Sequence, residues 1–348
     1  MITFFKPVND TAAKEQLNKE LSADGGRTAV ISGCIDTQKV HISSAVAQNY
    51  KFMLVITSDE AKARNMCDDA AFFNGEALYY PAKDAIFYSA DVTGNQITGQ
   101  RLKCISRLIE HIKAVDSKDG QDGGLLTLVT TIDGVSDRLV PLKRYMESVI
   151  TIDSTSEIDT EKLAKKMVQM GFTRTGMVED KGQFSIRGGI IDIFSYTDEA
   201  PVRIELWDTE VDSIRMFDAE SQRSIEKLKS YHIFPATEFL FTEEEKQAGL
   251  DKIRKERDEQ LECFDYGKRK RTQEQIEAGN NINKLVGDVE RTGKYSKFLD
   301  TIIKDTAGLI EYFPVEDTLI VLDEPNSLTE VNELTLYEYG ESMKNRLA

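Results

Sequence analysis

The chain is poor in the residues that build metal centres and disulfide frameworks. Its 348 residues include four cysteines and three histidines. Cys34, Cys67, Cys104 and Cys263 show no C-x-x-C pair and no cysteine–histidine spacing of a zinc site. A disulfide scaffold is therefore not expected, and the thiols fit a reducing cytoplasm. His41, His111 and His232 are scattered, so neither a histidine metal cluster nor a Ser/His/Asp arrangement is legible. No apolar run approaches the ~20 residues of a membrane span. The opening MITFFKPVNDTAAKEQL lacks the long apolar core and small-residue cleavage site of a secretory signal. Positive charge is also short: 44 Lys and Arg against 60 Asp and Glu give a net −16. Gripping DNA over the whole surface needs cations that displace counterions, so that role is disfavoured, although a local basic patch is left open. The acidity suits solubility and partners with basic faces.

What is present is the composition of a globular protein, 40% hydrophobic and 30% charged, at a length that calls for two or three domains. In residues 1–143 short apolar runs alternate with helical patterns. TAVISG (28–33), FMLVIT (52–57), ALYYPA (77–82) and LLTLVTTI (125–132) read as strands buried on both faces of a parallel sheet. Residues 38–49, 58–73 and 97–115 read as helices. In the last, Leu102, Ile105, Leu108, Ile109 and Ile112 recur at helical spacing. SKDGQDGG (117–124) reads as a loop.

From about residue 144 the character changes. ESVITIDS reads as a strand, and Asp159 to Met170 as a helix with Leu163, Met167 and Met170 on one side. FTRTGMVE (172–179), QFSIRGGIIDIF (183–194), PVRIELW (201–207) and VDSIRMF (211–217) follow as extended segments separated by turns, the pattern of an antiparallel sheet. After Arg223 the pattern returns to α/β, with a strand at YHIFPA (231–236). A charged helical stretch runs from Thr242 to about Thr306, interrupted at GKRKRTQEQIE (267–277), and a strand lies in DTLIVLDEP (317–325). The expected fold is an α/β parallel-sheet domain, 1–143 and 224–348, split by an inserted α+β domain, 144–223, with an antiparallel sheet.

ISGCIDTQKVHI (31–42) invites comparison with the phosphate loop G-x-x-x-x-G-K-S/T. Gly33 and Lys39 fit. Gln38 stands in place of the second glycine and would crowd the phosphates. Val40 stands in place of the magnesium-binding hydroxyl, and Asp36 adds a repulsive charge. The loop is degenerate, and an ordinary strand–turn–helix corner is the simpler reading. Asp323 and Glu324, ending the apolar strand, are placed like the acids of a Walker B strand, which hold magnesium and water in nucleotide hydrolases. Without a competent loop opposite, cap or salt-bridge roles are simpler. Asp84 and Asp91 show no paired-carboxylate pattern.

The stretch 182–223 resembles the module shared by the excinuclease component UvrB and the transcription-repair coupling factors (Mfd). That family has F-x-x-R-G-G-x-x-D-I-F, then P-x-R-I-E, D-x-x-x-x-F-D and Q-R-S. Here these are Phe184, Arg187 to Gly189, Asp192 to Phe194, Pro201, Arg203 to Glu205, Asp212, Phe217-Asp218 and Gln222 to Ser224. YYPAKDAIFYSADV, ITGQRLKCISRLI, HIFPATEF and TLIVLDEP extend the resemblance along nearly the whole chain. Two departures favour the coupling factors over UvrB. The phosphate loop is degenerate, and Lys83 to Ile97 is too short for the aromatic DNA-handling hairpin of UvrB.

The resemblance implies a degenerate helicase-like nucleotide-hydrolase domain and an inserted domain that docks on UvrA, the excinuclease partner of UvrB. It implies that the chain is the N-terminal piece of an ATP-dependent DNA translocase. RNA polymerase, DNA, ATP and magnesium would then be engaged by parts beyond Ala348, with no cofactor in this piece. Arg174 and Arg187 match family arginines that face acidic residues of UvrA, a task suited to the guanidinium fork. Ser185 stands where UvrB has a third. Asp192 and Phe194 are candidate supports of that surface, Phe194 with a core role as its alternative. Two rival readings are a divergent ATPase half and a clamp holding its own parent inactive through an intramolecular contact.

Overall fold

The computed structural model describes residues 2–21, 28–83, 92–117, 124–265, 272–292 and 305–347. Asp84, Asp91, the cluster Lys268 to Arg271 and most of the 117–124 loop lie outside them. The chain divides into two compact units. One is drawn from 1–89, 104–137 and 309–336, the other from 90–103, 138–308 and 337–348.

The first unit holds a four-stranded parallel sheet. Its strands are β1 (Phe52–Thr57), β2 (Ala77–Tyr80), β3 (Leu126–Thr131) and β12 (Thr318–Leu322), in the order β12–β1–β3–β2. Phe52 pairs with Thr318 on one side and Leu126 on the other. Every residue of β1 and β3 is buried, as a sheet covered on both faces requires. The helices are α1 (Ile2–Asn9), α2 (Ala12–Leu21), α3 (Asp36–Ala47) and α4 (Glu60–Asn74). Asp59 caps α4 by accepting from the Lys62 amide, and Gly75, at φ +86, ends it. Val40 of α3, Ala63, Met66 and Ala70 of α4 and Met53, Val55 and Val129 of the sheet form one apolar cluster.

One expected strand is missing. TAVISG forms no strand; Val30 is 91% exposed, and Ile31 and Ile35 are exposed too. An apolar run becomes a strand only where a ladder and a covered face receive it. Here β1 already has a partner on each side, and 28–35 pairs with neither. The turn at Gly33, φ +80, therefore enters α3 from an irregular segment.

The remaining helices before the second sheet are α5 (Val92–Asp116), which begins ahead of the expected 97, α6 (Ile132–Ser136) and α7 (Leu142–Ser148). The predicted apolar stripe of α5, Leu102 to Ile112, is buried.

The second unit is built on a six-stranded sheet in the order β10–β9–β8–β7–β6–β5. Its strands are β5 (Thr173–Arg174), β6 (Gln183–Arg187), β7 (Ile190–Phe194), β8 (Val202–Trp207), β9 (Glu210–Phe217) and β10 (Ser224–Lys227). All neighbours are antiparallel except β5 and β6. FTRTGMVE supplies only the two residues of β5. A separate pair joins β4 (Ile150–Asp153) to β11 (Ser230–Ile233). Two strands beyond Arg223 thus belong to this unit.

The period-2 alternation sets its core. Phe184, Ile191, Ile193, Val202, Ile204 and Ile214 face inward, against Leu163, Met167 and Met170 of α8 (Thr160–Gln169) and Tyr231 and Ile233 of β11. Asp159 caps α8 with hydrogen bonds from Glu161 N and Lys162 N. Gly188 takes φ +59 in the β6–β7 turn. At Gly189 a Cβ would stand 2.8 Å from the Leu206 carbonyl oxygen, so only glycine lets this turn lie against β8. The helices α9 (Glu243–Asp265) and α10 (Gln273–Thr292) each start with reciprocal side-chain caps, Thr242 with Glu245 and Thr272 with Gln275. The last helix, α11 (Pro325–Leu347), follows β12.

Candidate functional site

Two places carry the expected site residues. The first is the degenerate loop in the parallel-sheet unit. The fold brings Lys39 to Asp323 and Glu324, as a Walker-type arrangement would. The Lys39 ammonium donates to Asp323 Oδ1 at 2.8 Å and Glu324 Oε1 at 2.9 Å, and lies 3.1 Å from Asp36 Oδ1. Lys62, which no motif announces, donates to Glu324 Oε2 at 2.9 Å and lies 3.4 Å from Asp323 Oδ2. Thr57 Oγ1 donates to Asp323 Oδ2 at 3.0 Å.

Burial works against the charge of Lys39, but the hydrogen bonds to Asp323, Glu324 and Asp36 outweigh it and raise its pKa. Lys62 and Lys39 together lower the Glu324 carboxyl to about 2. Glu324 holds φ +50, a left-handed conformation that costs on the order of 1 kcal/mol in a side-chain-bearing residue.

These residues do not fit a magnesium nucleotide. Gln38 Oε1 accepts from the Ile35 amide at 3.3 Å, so a side chain of the loop itself covers the helix N-terminus. Val40 packs in the apolar cluster with no oxygen to give. The one lysine the loop keeps is held by three carboxylates. The two acids serve as salt-bridge partners.

The second place is the outward face of the antiparallel sheet. Alternation puts Gln183, Ser185 and Arg187 of β6 on it, beside Ile190, Asp192 and Phe194 of β7 and Arg203, Glu205 and Trp207 of β8. Asp192 is 1% exposed. Arg203 grips it bidentately, Nε to Oδ1 at 2.6 Å and Nη2 to Oδ2 at 2.9 Å, and Arg187 Nη2 adds a third bond to Oδ2 at 2.9 Å. Hydrogen bonding to Asp192 raises the Arg203 pKa further. Its Nη2 also donates to Gln222 Oε1 at 2.8 Å, and its guanidinium lies 4.3 Å from the Phe217 ring centre. Gln222, at φ +59, is held by its own bonds to Asp218 O and Ala219 O. Further along, Arg215 pairs bidentately with Glu205.

The two predicted arginines differ. Arg187 has a side chain 44% exposed, with one guanidinium nitrogen on Asp192. Arg174 is exposed on β5 and has no carboxylate partner among the described residues. The register sets it beside Phe184, a core-facing position, whereas Arg187 lies in the row of Gln183 and Ser185. Ser185 is buried and donates to Gly176 O at 3.0 Å. Phe194 is half-buried, with the Lys181 ammonium 5.6 Å from its ring centre. Arg203 was visible only as one letter of a motif; the alternation in PVRIELW could have placed it with Glu205 on the polar face.

Residues 150–239, which span this sheet, match the UvrB interaction domain family. Over 336 residues the chain is 31% identical to the transcription-repair-coupling factor of Bacillus subtilis (strain 168), covering 93% of this chain and 26% of that protein. Over nearly its whole length the chain is similar to part of a transcription-repair-coupling factor. The corresponding protein of Staphylococcus aureus (strain Mu50 / ATCC 700699) is 28% identical over 324 residues, 92% of this chain and again 26% of the relative. The chain thus spans about a quarter of the length of the curated relatives it matches. Among its described residues no helix is long and apolar enough to cross a membrane.

Proposed function

We propose that this chain is a recruiting module without a catalytic step of its own, and that the outward face of its antiparallel sheet docks on UvrA. The observation that carries this reading is Arg187. It stands half-exposed at the rim of a carboxylate already satisfied by Arg203, so it can give its remaining N–H groups to a partner without stranding Asp192. Arg174, with no carboxylate partner among the described residues, adds a second fork at the β5 edge. A partner that engages both wraps that edge. Residues 144–223 form the core of the docking domain, and the parallel-sheet parts are a degenerate helicase-like scaffold that binds no nucleotide. In the longer parent, ATP and magnesium serve a DNA-translocating motor, RNA polymerase is engaged by other domains, and the whole acts in the cytoplasm at stalled transcription complexes.

The test is a pull-down and titration of purified UvrA with this chain. Truncating one member of a desolvated charge pair costs about 2–5 kcal/mol. At ~1.4 kcal/mol per tenfold, Arg187→Ala should weaken binding at least roughly 30-fold. Equal affinity in the wild type and a folded Arg174→Glu/Arg187→Glu double variant would place the contact elsewhere.

A further inference from the structure

The chain has one tryptophan, Trp207, and it is 81% exposed. It closes β8 at the tip of the β8–β9 hairpin, where Trp207 pairs with Glu210 and Asp208 takes φ +59. Alternation along β8 turns Ile204 and Leu206 toward the core and Arg203, Glu205 and Trp207 to the outward face. An aromatic ring this exposed contributes little to the fold, whereas burial of such a ring is the commonest energetic anchor of a protein interface.

Its position relates it to the arginines. Arg187 pairs with Ile190, and Ile190 with Glu205, so Arg187 and Glu205 lie in one row across three strands. Trp207 is two residues beyond Glu205 on the same face. At ~4.8 Å between strands and ~3.4 Å per residue, the Trp207 and Arg187 backbones are about 12 Å apart. That falls inside a footprint of ~800 Å² per partner. Two carboxylates of this face, Asp192 and Glu205, are bound by its own arginines, and a third, Glu210, stays exposed opposite Trp207, so the face offers a partner cationic and aromatic groups beside one acid.

We propose that Trp207 is the apolar anchor of the partner-binding face, seated in a slot on a protein surface whose carboxylates meet Arg187. This rests on the docking reading above, and it names the determinant of affinity beside the arginines.

The single tryptophan makes the test direct. The full 348-residue chain, grown with 5-fluorotryptophan, gives one ¹⁹F resonance, and unlabelled purified UvrA is silent. On titration the resonance should shift and broaden. Trp207→Ala should weaken binding about 30-fold or more, and Trp207→Phe should restore most of it. Unchanged circular dichroism and melting would show that both variants are folded. If UvrA binds the wild type and Arg187→Ala weakens it, while the resonance stays put and Trp207→Ala binds normally, the anchor is refuted and the docking reading stands. If UvrA does not bind the wild-type chain, both fall.

Discussion

Arg203→Ala should destabilise the antiparallel unit far more than Arg187→Ala, although both arginines touch the same carboxylate. Asp192 is sealed from water and receives three charge-assisted hydrogen bonds, two of them from Arg203. Removing Arg203 leaves a buried carboxylate with one half-exposed partner. Breaking a buried pair in this way costs about 3–5 kcal/mol. Removing Arg187 deletes one bond from a side chain 44% in solvent, and the bidentate grip remains, so the cost is about 1 kcal/mol. Two compact units make a single global melt ambiguous, so the assay is native-state hydrogen exchange read at the β7 and β8 amides. At ~1.4 kcal/mol per tenfold, protection should fall at least ~100-fold in Arg203→Ala and about fivefold in Arg187→Ala. Asp192→Asn combined with Arg203→Ala should recover part of the loss, because no unpaired charge is then buried. Equal losses in the two single variants would refute this ordering.

The degenerate loop predicts no saturable heat when the chain is titrated with ATP and magnesium at millimolar ligand; a micromolar dissociation constant would revive the ATPase reading. Glu324, at about 2 when folded and ~4.3 when unfolded, contributes stability that is complete above about pH 4.3 and is lost as pH falls through about 2. Acid unfolding of the parallel-sheet unit should therefore steepen across that window, and Glu324→Gln should flatten it; an unaltered acid limb would show the cluster is not coupled to folding. A net charge of −16 predicts DNA binding no tighter than roughly 10⁻⁵ M at physiological salt, and a submicromolar gel shift on damaged DNA would contradict it.

Much of the fold was legible because its signals are local. The continuous apolar runs at 52–57 and 126–131 are doubly covered parallel strands, and the alternation of 183–217 sorted core from face. The strand expected at 28–33 failed for a non-local reason: nothing in its own residues says whether a sheet edge receives it. The site was half legible. Lys39, Asp323 and Glu324 were found through a pattern and do meet, across 284 residues of chain. Lys62 was invisible because it reaches the cluster from a different helix with no motif around it. Arg187 was read as a partner contact and Asp192 as a support of its surface, and only the folded sheet reveals that the two are bonded to each other.

Both places follow one electrostatic logic with opposite results. At the loop, two lysines meet three carboxylates, so the cluster is saturated from within and leaves no cation for a phosphate. On the sheet face, two arginines meet Asp192, and the second guanidinium is surplus. A surplus cation held by a buried acid keeps its position without spending all its donors. That is the condition for pre-organised recognition of an acidic partner: little side-chain freedom is lost on docking, and specificity comes from where the fork already points. The same reasoning explains why Arg203→Ala should also impair docking despite touching no partner. It would leave Arg187 as the only guanidinium on Asp192, and the donors meant for the partner would be drawn inward.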